Sequence, residues 1–242
     1  MRATLVNASQ SQTSIAIWVV FAGGPAAKPV AWLSALLSPN CYAVYEWQAV
    51  YEAVWADTGK LVAGKTVNAA QHLPATSAGF AARLEKHAGG FRLVPYAPPV
   101  PPDAGTLLIE TSADVPANRF AVGVNIRIAS GMGEPGDAAS AVQAGPNLTY
   151  RWTTGETYYA NAGAITQSEY DPPAFTTQTP LKLDFAGGSE VGILLDQANV
   201  LQQLGNSQLA GIVRSAAFIR IPAPAGACSP RGTAAAPIET DT

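Results

Sequence analysis

The stretch Phe120-Ala121-Val122-Gly123-Val124-Asn125-Ile126-Arg127-Ile128 decides the fold class. Large apolar side chains fall on every second residue and small or polar ones fall between them, the pattern of an extended strand with one face buried. Outward from it, the same period of two puts Leu148, Tyr150 and Trp152 on one face of a second strand, and Leu181, Leu183 and Phe185 on one face of a third. Ile15 to Phe21 and Ile212 to Ile221 read as further strands. Short alternating segments divided by turn residues, in a chain with 22 Gly and 19 Pro, predict an all-β protein. The expected architecture is an antiparallel β-sandwich with jelly-roll or Ig-like layering. One or two short helices are expected beside it, two turns in Ala78 to Lys86 and three turns in Leu194 to Leu204.

The 242 residues suffice for a full hydrophobic core without disulfide staples. Pro95-Tyr96-Ala97-Pro98-Pro99-Val100-Pro101-Pro102 cannot pass through a helix or a central strand, because its rings fix φ and remove backbone donors. It predicts an extended connector at an edge or between sheets. The expected organisation is a single β-sandwich domain over 1–221, followed by a Pro/Ala-rich tail, 222–242, with no hydrophobic period of its own.

Composition narrows the partners. A net charge of −3 supplies no basic field, so binding to a nucleic-acid backbone has no electrostatic drive. Only 13% of residues are charged while 48% are hydrophobic, and a surface so poor in charge is weakly protected against self-association. A homo-oligomer or self-assembled array is therefore expected. The apolar run from Ile15 to Ala22 is too short and starts too late for a signal peptide, and no segment approaches a membrane-spanning helix. The expected location is cytoplasmic, with export by a non-classical route left open.

Candidate chemistry is sparse. Cys41, Cys228, His72 and His87 are the whole set of soft ligands and fall in no metal-binding spacing, so no metal and no cofactor is expected. The two cysteines are expected to be unpaired, partly buried thiols, since a bridge would need a proximity that their separation does not show. Gly131-Met132-Gly133-Glu134-Pro135-Gly136 has the GxGxxG spacing, but Pro135 removes a donor, Glu134 repels phosphate and no helix follows. It reads as a surface turn. His72, at an apparent strand end, and His87, at an apparent helix end, read as surface or capping residues. Glu46 and Glu52 share one face of a strand about 20 Å apart, too far for a glycosidase-type pair. No catalytic residue is assigned.

Tyr42 to Gly59 offers an aromatic face on its odd positions, Tyr45, Trp47, Ala49, Tyr51, Ala53 and Trp55, with Glu46, Gln48 and Glu52 among the even ones. Such a stripe reads first as core. If exposed, it could stack a sugar ring or another flat ligand. Asp57-Thr58-Gly59-Lys60 then reads as a turn with Gly59 free to take positive φ.

The run Tyr45-Glu46-Trp47, then Tyr51, then Val54-Trp55-Ala56-Asp57-Thr58-Gly59-Lys60-Leu61, Gly64 and Gln71-His72-Leu73-Pro74-Ala75 resembles the signature of RhiA-like proteins. The likeness continues through Phe120 to Ile128, Gln143 to Leu148 and Thr157-Tyr158-Tyr159, to about Leu201. It departs in the Ala-rich piece from Ala75 to Lys86, in Pro95 to Pro102 and in the tail after Pro222. The resemblance implies a compact bacterial β protein and carries no catalytic residue. Two expectations follow. The first is a non-enzymatic protein acting by self-assembly or partner binding; the second is a carbohydrate or small-molecule binding module using Trp47, Tyr51, Trp55, Tyr158 or Tyr159.

Overall fold

The structure, a computed structural model, describes residues 1–25, 27–75, 79–128, 138–173, 179–186, 188–215 and 217–221. In chain order its strands begin β1 (Arg2–Asn7), β2 (Thr13–Val20), β3 (Leu33–Leu37), β4 (Cys41–Asp57), β5 (Lys65–Thr66) and β6 (Gln71–Pro74). There follow β7 (Phe80–His87), β8 (Gly90–Pro95), β9 (Thr106–Thr111), β10 (Phe120–Ile128), β11 (Ser140–Gln143) and β12 (Thr149–Thr153). The last are β13 (Thr157–Gly163), β14 (Glu169–Tyr170), β15 (Leu181–Lys182), β16 (Glu190–Leu195), β17 (Leu201–Leu204) and β18 (Ile219–Arg220); α1 (Asn206–Arg214) precedes β18. The protein is all-β and sandwich-like, with several mostly antiparallel sheets that do not close into a barrel among the described residues.

β4 is the spine. Its first half pairs antiparallel with β1, from Arg2 opposite Glu46 to Asn7 opposite Cys41. Its second half pairs with β10, from Phe120 opposite Asp57 to Ile126 opposite Tyr51, and on its other edge with β6, where His72 faces Val54. The largest sheet runs β11-β10-β4-β1-β16-β17. Two four-stranded sheets, β12-β9-β7-β8 and β15-β13-β2-β3, pack with it around one continuous core. That core takes Ile15 and Ile17 from β2, Trp47 from β4, Leu84 from β7, Ile109 from β9, and Val124 and Ile126 from β10. The Pro95 to Pro102 connector carries the chain from β8 back across β7, so that β9 lies parallel to β7. β1 with β16 and β18 with β4 are also parallel, while the other strand pairs are antiparallel.

The stretch Phe120 to Ile128 is strand β10 throughout, and Gly59 takes φ 68° in its turn. Several other expectations are corrected. Of the helix expected over Ala78 to Lys86, Ala78 lies outside the described residues and Phe80 onward is β7, held between β8 and β9, where pairing on both edges overrides the helical propensity of Ala, Leu, Glu and Lys. Leu194 to Leu204 is the β16–β17 hairpin, turned by Asp196, whose carboxylate accepts from the Ala198 and Val200 amides, and by Asn199 at φ 60°. Ile212 lies in α1 rather than in a strand; the helix starts at Asn206, where the Gln208 side chain accepts from the Gly205 amide. Leu148 precedes β12 and is exposed, and the third strand extends only over Leu181–Lys182.

Candidate functional site

Alternation along β4 and its two neighbours builds a polar cluster on one face of the large sheet. Asn125 is directly opposite Glu52, and His72 opposite Val54, so all three side chains emerge on the same side. His72 Nδ1 donates to Glu52 Oε2 at 3.0 Å and Asn125 Nδ2 donates to the same oxygen at 3.1 Å. Arg127 donates to Oε1 through Nε at 3.1 Å and Nη2 at 2.6 Å. Glu52 is buried, and its carboxyl is held down to about 2, first by the His72 hydrogen bond and then, against the opposing effect of burial, by Arg127 and Asn125. A carboxylate so fully engaged is a poor proton acceptor. Its pairing with His72 has the form of the orienting half of a catalytic triad, but among the described residues no hydroxyl or thiol donates to the imidazole. The cluster is a three-strand clamp.

A second arrangement lies where the β2–β13 sheet meets β12. Trp18 on β2 and Tyr159 on β13 are register partners, and their rings stack with centroids 4.6 Å apart and planes 20° apart. Trp18 Nε1 donates to the Oδ1 of buried Asn161 at 3.0 Å, which fixes the indole. Beside Trp18 opens a cleft of about 390 Å³, lined by Phe21, Gly23, Lys28, Ser140 and Trp152 among others. Gly23 is forced by contact, because a Cβ there would stand 2.9 Å from Thr153 Oγ1, where the chain bridges to β12. Trp152 Nε1 donates to Ser140 Oγ at 3.0 Å in the floor. The Lys28 ammonium at the rim is 3.5 Å from Asp171 Oδ2. A larger cleft of about 550 Å³ between Ser34 and Glu169 has no aromatic side chain in its lining, so the ring-lined cleft is the better candidate for a ligand.

The sequence candidates fall as follows. Trp47 and Tyr158 are core, packed together with Trp32 and Phe185, and cannot receive a ligand. Tyr45 and Ala53 are also buried, and Tyr51 and Trp55 pack half-buried against the core, so the β4 stripe is a packing surface. Ala49 is exposed, because β4 passes from Trp47 to Tyr51 while β10 advances only from Ile128 to Ile126, and this bulge lifts the intervening residues off the core. Tyr159 is half-exposed and adjoins the cleft only through its stack on Trp18. His72 joins Glu52. His87 ends strand β7 rather than a helix and is exposed. Glu46 pairs instead with Arg2, at 3.5 Å.

Cys41 is buried and disulfide-bonded, correcting the expectation of unpaired thiols. The proximity hidden by the sequence is visible in β18, which returns the far end of the chain to β4 with Ile219 opposite Cys41. Cys228, the Gly131 to Gly136 turn and the 222–242 tail lie outside the described residues. Among the described residues no group of three or more His, Cys, Asp or Glu side chains could hold a metal, and no helix is long and apolar enough to cross a membrane. Trp18, Ser140 and Lys28 were not sequence candidates. Trp18 was visible only as one more apolar position in the Ile15 to Phe21 run, and nothing along the chain links it to Ser140.

Fold and cleft together define an all-β sandwich-like protein with an aromatic-lined surface cleft. The family model for RhiA matches residues 2–201, and the chain belongs to that family. It is 31% identical over 119 residues to Protein RhiA of Rhizobium leguminosarum bv. viciae, an alignment covering 49% of this chain and 47% of that protein. The match thus spans about half the length of this curated relative. No solved structure gives a significant match.

Proposed function

We propose that this protein acts by binding and not by catalysis, and that the cleft beside Trp18 and Tyr159 receives a sugar ring or another small molecule. The observation that carries the reading is a concavity within the usual size range of ligand sites, roughly 300–1,000 Å³. Its lining brings the half-exposed Trp18 and the Lys28 side chain over a floor that holds the buried Ser140 hydroxyl. Titration of glycans and small aromatic molecules, followed by tryptophan fluorescence, tests it. A saturable response that Trp18→Ala abolishes while the variant still unfolds cooperatively in urea is the expected result. A panel that gives no response at millimolar concentration overturns it.

Self-assembly is the second reading, favoured by the low charge and by Val20 and Leu36, 44% and 36% exposed on the outer face of the same sheet. Light scattering after size exclusion would then give a mass that rises with concentration, and Val20→Lys with Leu36→Lys would return it to the monomer. A monomer at all concentrations removes this reading.

A further inference from the structure

We propose that the larger cleft, between the outer face of the β2–β3 pair and the β5–β14 ladder, is a second and independent binding site, for a small primary ammonium on a short aliphatic stem. Its charge comes from a single side chain. Glu169 is the one charged residue among the described residues of the lining, and its register partner is Thr66, so the two side chains share the face turned to the cleft. Lys65, next to Thr66 on β5, alternates to the other face with Tyr170. Glu169 Oε2 accepts from the Thr166 amide at 2.8 Å, which fixes the carboxylate, while Oε1 lies over Gly64, where a Cβ would stand 3.8 Å from it. No Lys, Arg or His among the described residues pairs with this carboxylate. The cleft therefore holds a positioned negative charge without a counter-ion.

The opposite wall adds a second observation. Ser14 on β2 is the register partner of Leu36 on β3, and its side chain is directed outward because the adjoining Ile15 belongs to the core. Ser14 is 5% exposed, and its hydroxyl has no hydrogen-bond partner among the described residues. A polar group so enclosed needs a partner. An ammonium supplies one, since it carries donors only, and the same lining offers it Glu169 Oε1 and the Thr66 hydroxyl as further acceptors. Leu36 and Ile165 give a methylene stem an apolar surface. A metal ion fits less well, because a hard cation takes roughly six to eight oxygens, several of them from carboxylates, and this lining has one carboxylate. The volume, about 550 Å³, is that of a site for an organic molecule.

The test uses the full chain and four probes, n-butylammonium, 1-butanol, butyrate and calcium ion, followed by calorimetry and, for the organic probes, by saturation-transfer NMR. The expected result is that n-butylammonium binds, that its affinity falls about threefold between low and high salt, and that Glu169→Gln weakens it about fivefold. Ser14→Ala, which removes a single oxygen, weakens it about threefold and keeps the test decisive where the Glu169 variant folds poorly. Binding of 1-butanol or butyrate as tight as that of n-butylammonium overturns the cationic class. Calcium bound without n-butylammonium overturns the organic class. An n-butylammonium that binds both variants as well as wild type sits elsewhere and overturns the assignment, and no saturable binding at millimolar concentration overturns the proposal outright. None of these outcomes bears on the cleft beside Trp18.

Discussion

The Glu52 carboxylate on β4 accepts a hydrogen bond from His72 Nδ1 on β6 at 3.0 Å, tying the short edge strand to the spine of the large sheet. Arg127 and Asn125 hold the same carboxylate from β10, so one side chain joins three strands.

The sign of the pH dependence follows from the depressed Glu52 carboxyl, about 2 in the fold against 4.5 ordinarily. The unfolded chain takes up the proton first on acidification. The stabilisation is therefore complete above about pH 4.5 and is lost as pH falls from there through about 2. Its size is on the order of 3 kcal/mol. Urea unfolding from pH 6 down to pH 2.5 should show this loss in the wild type and a clearly shallower one in Glu52→Gln. Equal slopes in the two proteins would show that the clamp does not govern acid stability.

Tyrosines give the opposite sign at alkaline pH. Burial raises the Tyr45, Tyr51 and Tyr158 phenols far above 10, and for Tyr51 the hydrogen bond it donates to Glu156 adds to the effect. Below about pH 10 their stabilisation is intact, and it declines as pH rises further because the unfolded chain ionises first. An ultraviolet titration of the folded protein should fall short of the full phenolate signal of its 8 tyrosines until the chain unfolds. A complete, reversible signal near pH 10.5 with the fold intact would contradict this burial.

The aromatic residues divide by position along their strands. Trp47 is 1% exposed and meets Trp32 at 5.4 Å and Phe185 at 5.9 Å, both edge to face. Trp47→Ala should cost about 3–5 kcal/mol in urea unfolding. Trp18→Ala, at a half-exposed position, should cost less, about 1–3 kcal/mol, from losing the stack on Tyr159 and the hydrogen bond to the buried Asn161 Oδ1. Comparable losses at the two sites would mean that Trp18 is a packing residue as much as Trp47.

Periodicity made the strands legible where the alternation was strict and hid them where composition favoured another form. Phe120 to Ile128 and Tyr42 to Gly59 were readable because large side chains alternate with small or polar ones along them, although β10 is buried on both faces from Phe120 to Ile126 rather than on one. Ala78 to Lys86 was not, because the pairing that makes it a strand comes from β8 and β9, which are separate in sequence. The same limit applied to the polar cluster. Along the chain Glu52 suggested only Glu46 as a partner, whereas its actual partners are His72, Asn125 and Arg127, set by cross-strand register. The cleft escaped for the same reason: Trp18, Ser140 and Trp152 meet only when β2, β11 and β12 converge.

Two glycines provide a test with opposite signs. On β10, Gly123 faces Ala141 of β11 so closely that a Cβ would stand 2.1 Å from the Ser140 carbonyl oxygen and 3.1 Å from Ala141 Cα. Both are backbone atoms, so no side chain can rotate aside, and Gly123→Ala must push β11 away from β10. That displacement should cost at least about 1–3 kcal/mol, and it should disturb Ser140 in the cleft floor. Gly211 sits inside α1, where an added Cβ meets nothing within 4 Å. There Gly211→Ala removes backbone freedom from the unfolded chain and should stabilise by about 0.5–1 kcal/mol. Urea midpoints moving down for the first variant and up for the second are the expected pair. A neutral Gly123→Ala would mean that β10 and β11 do not approach as closely as this register requires.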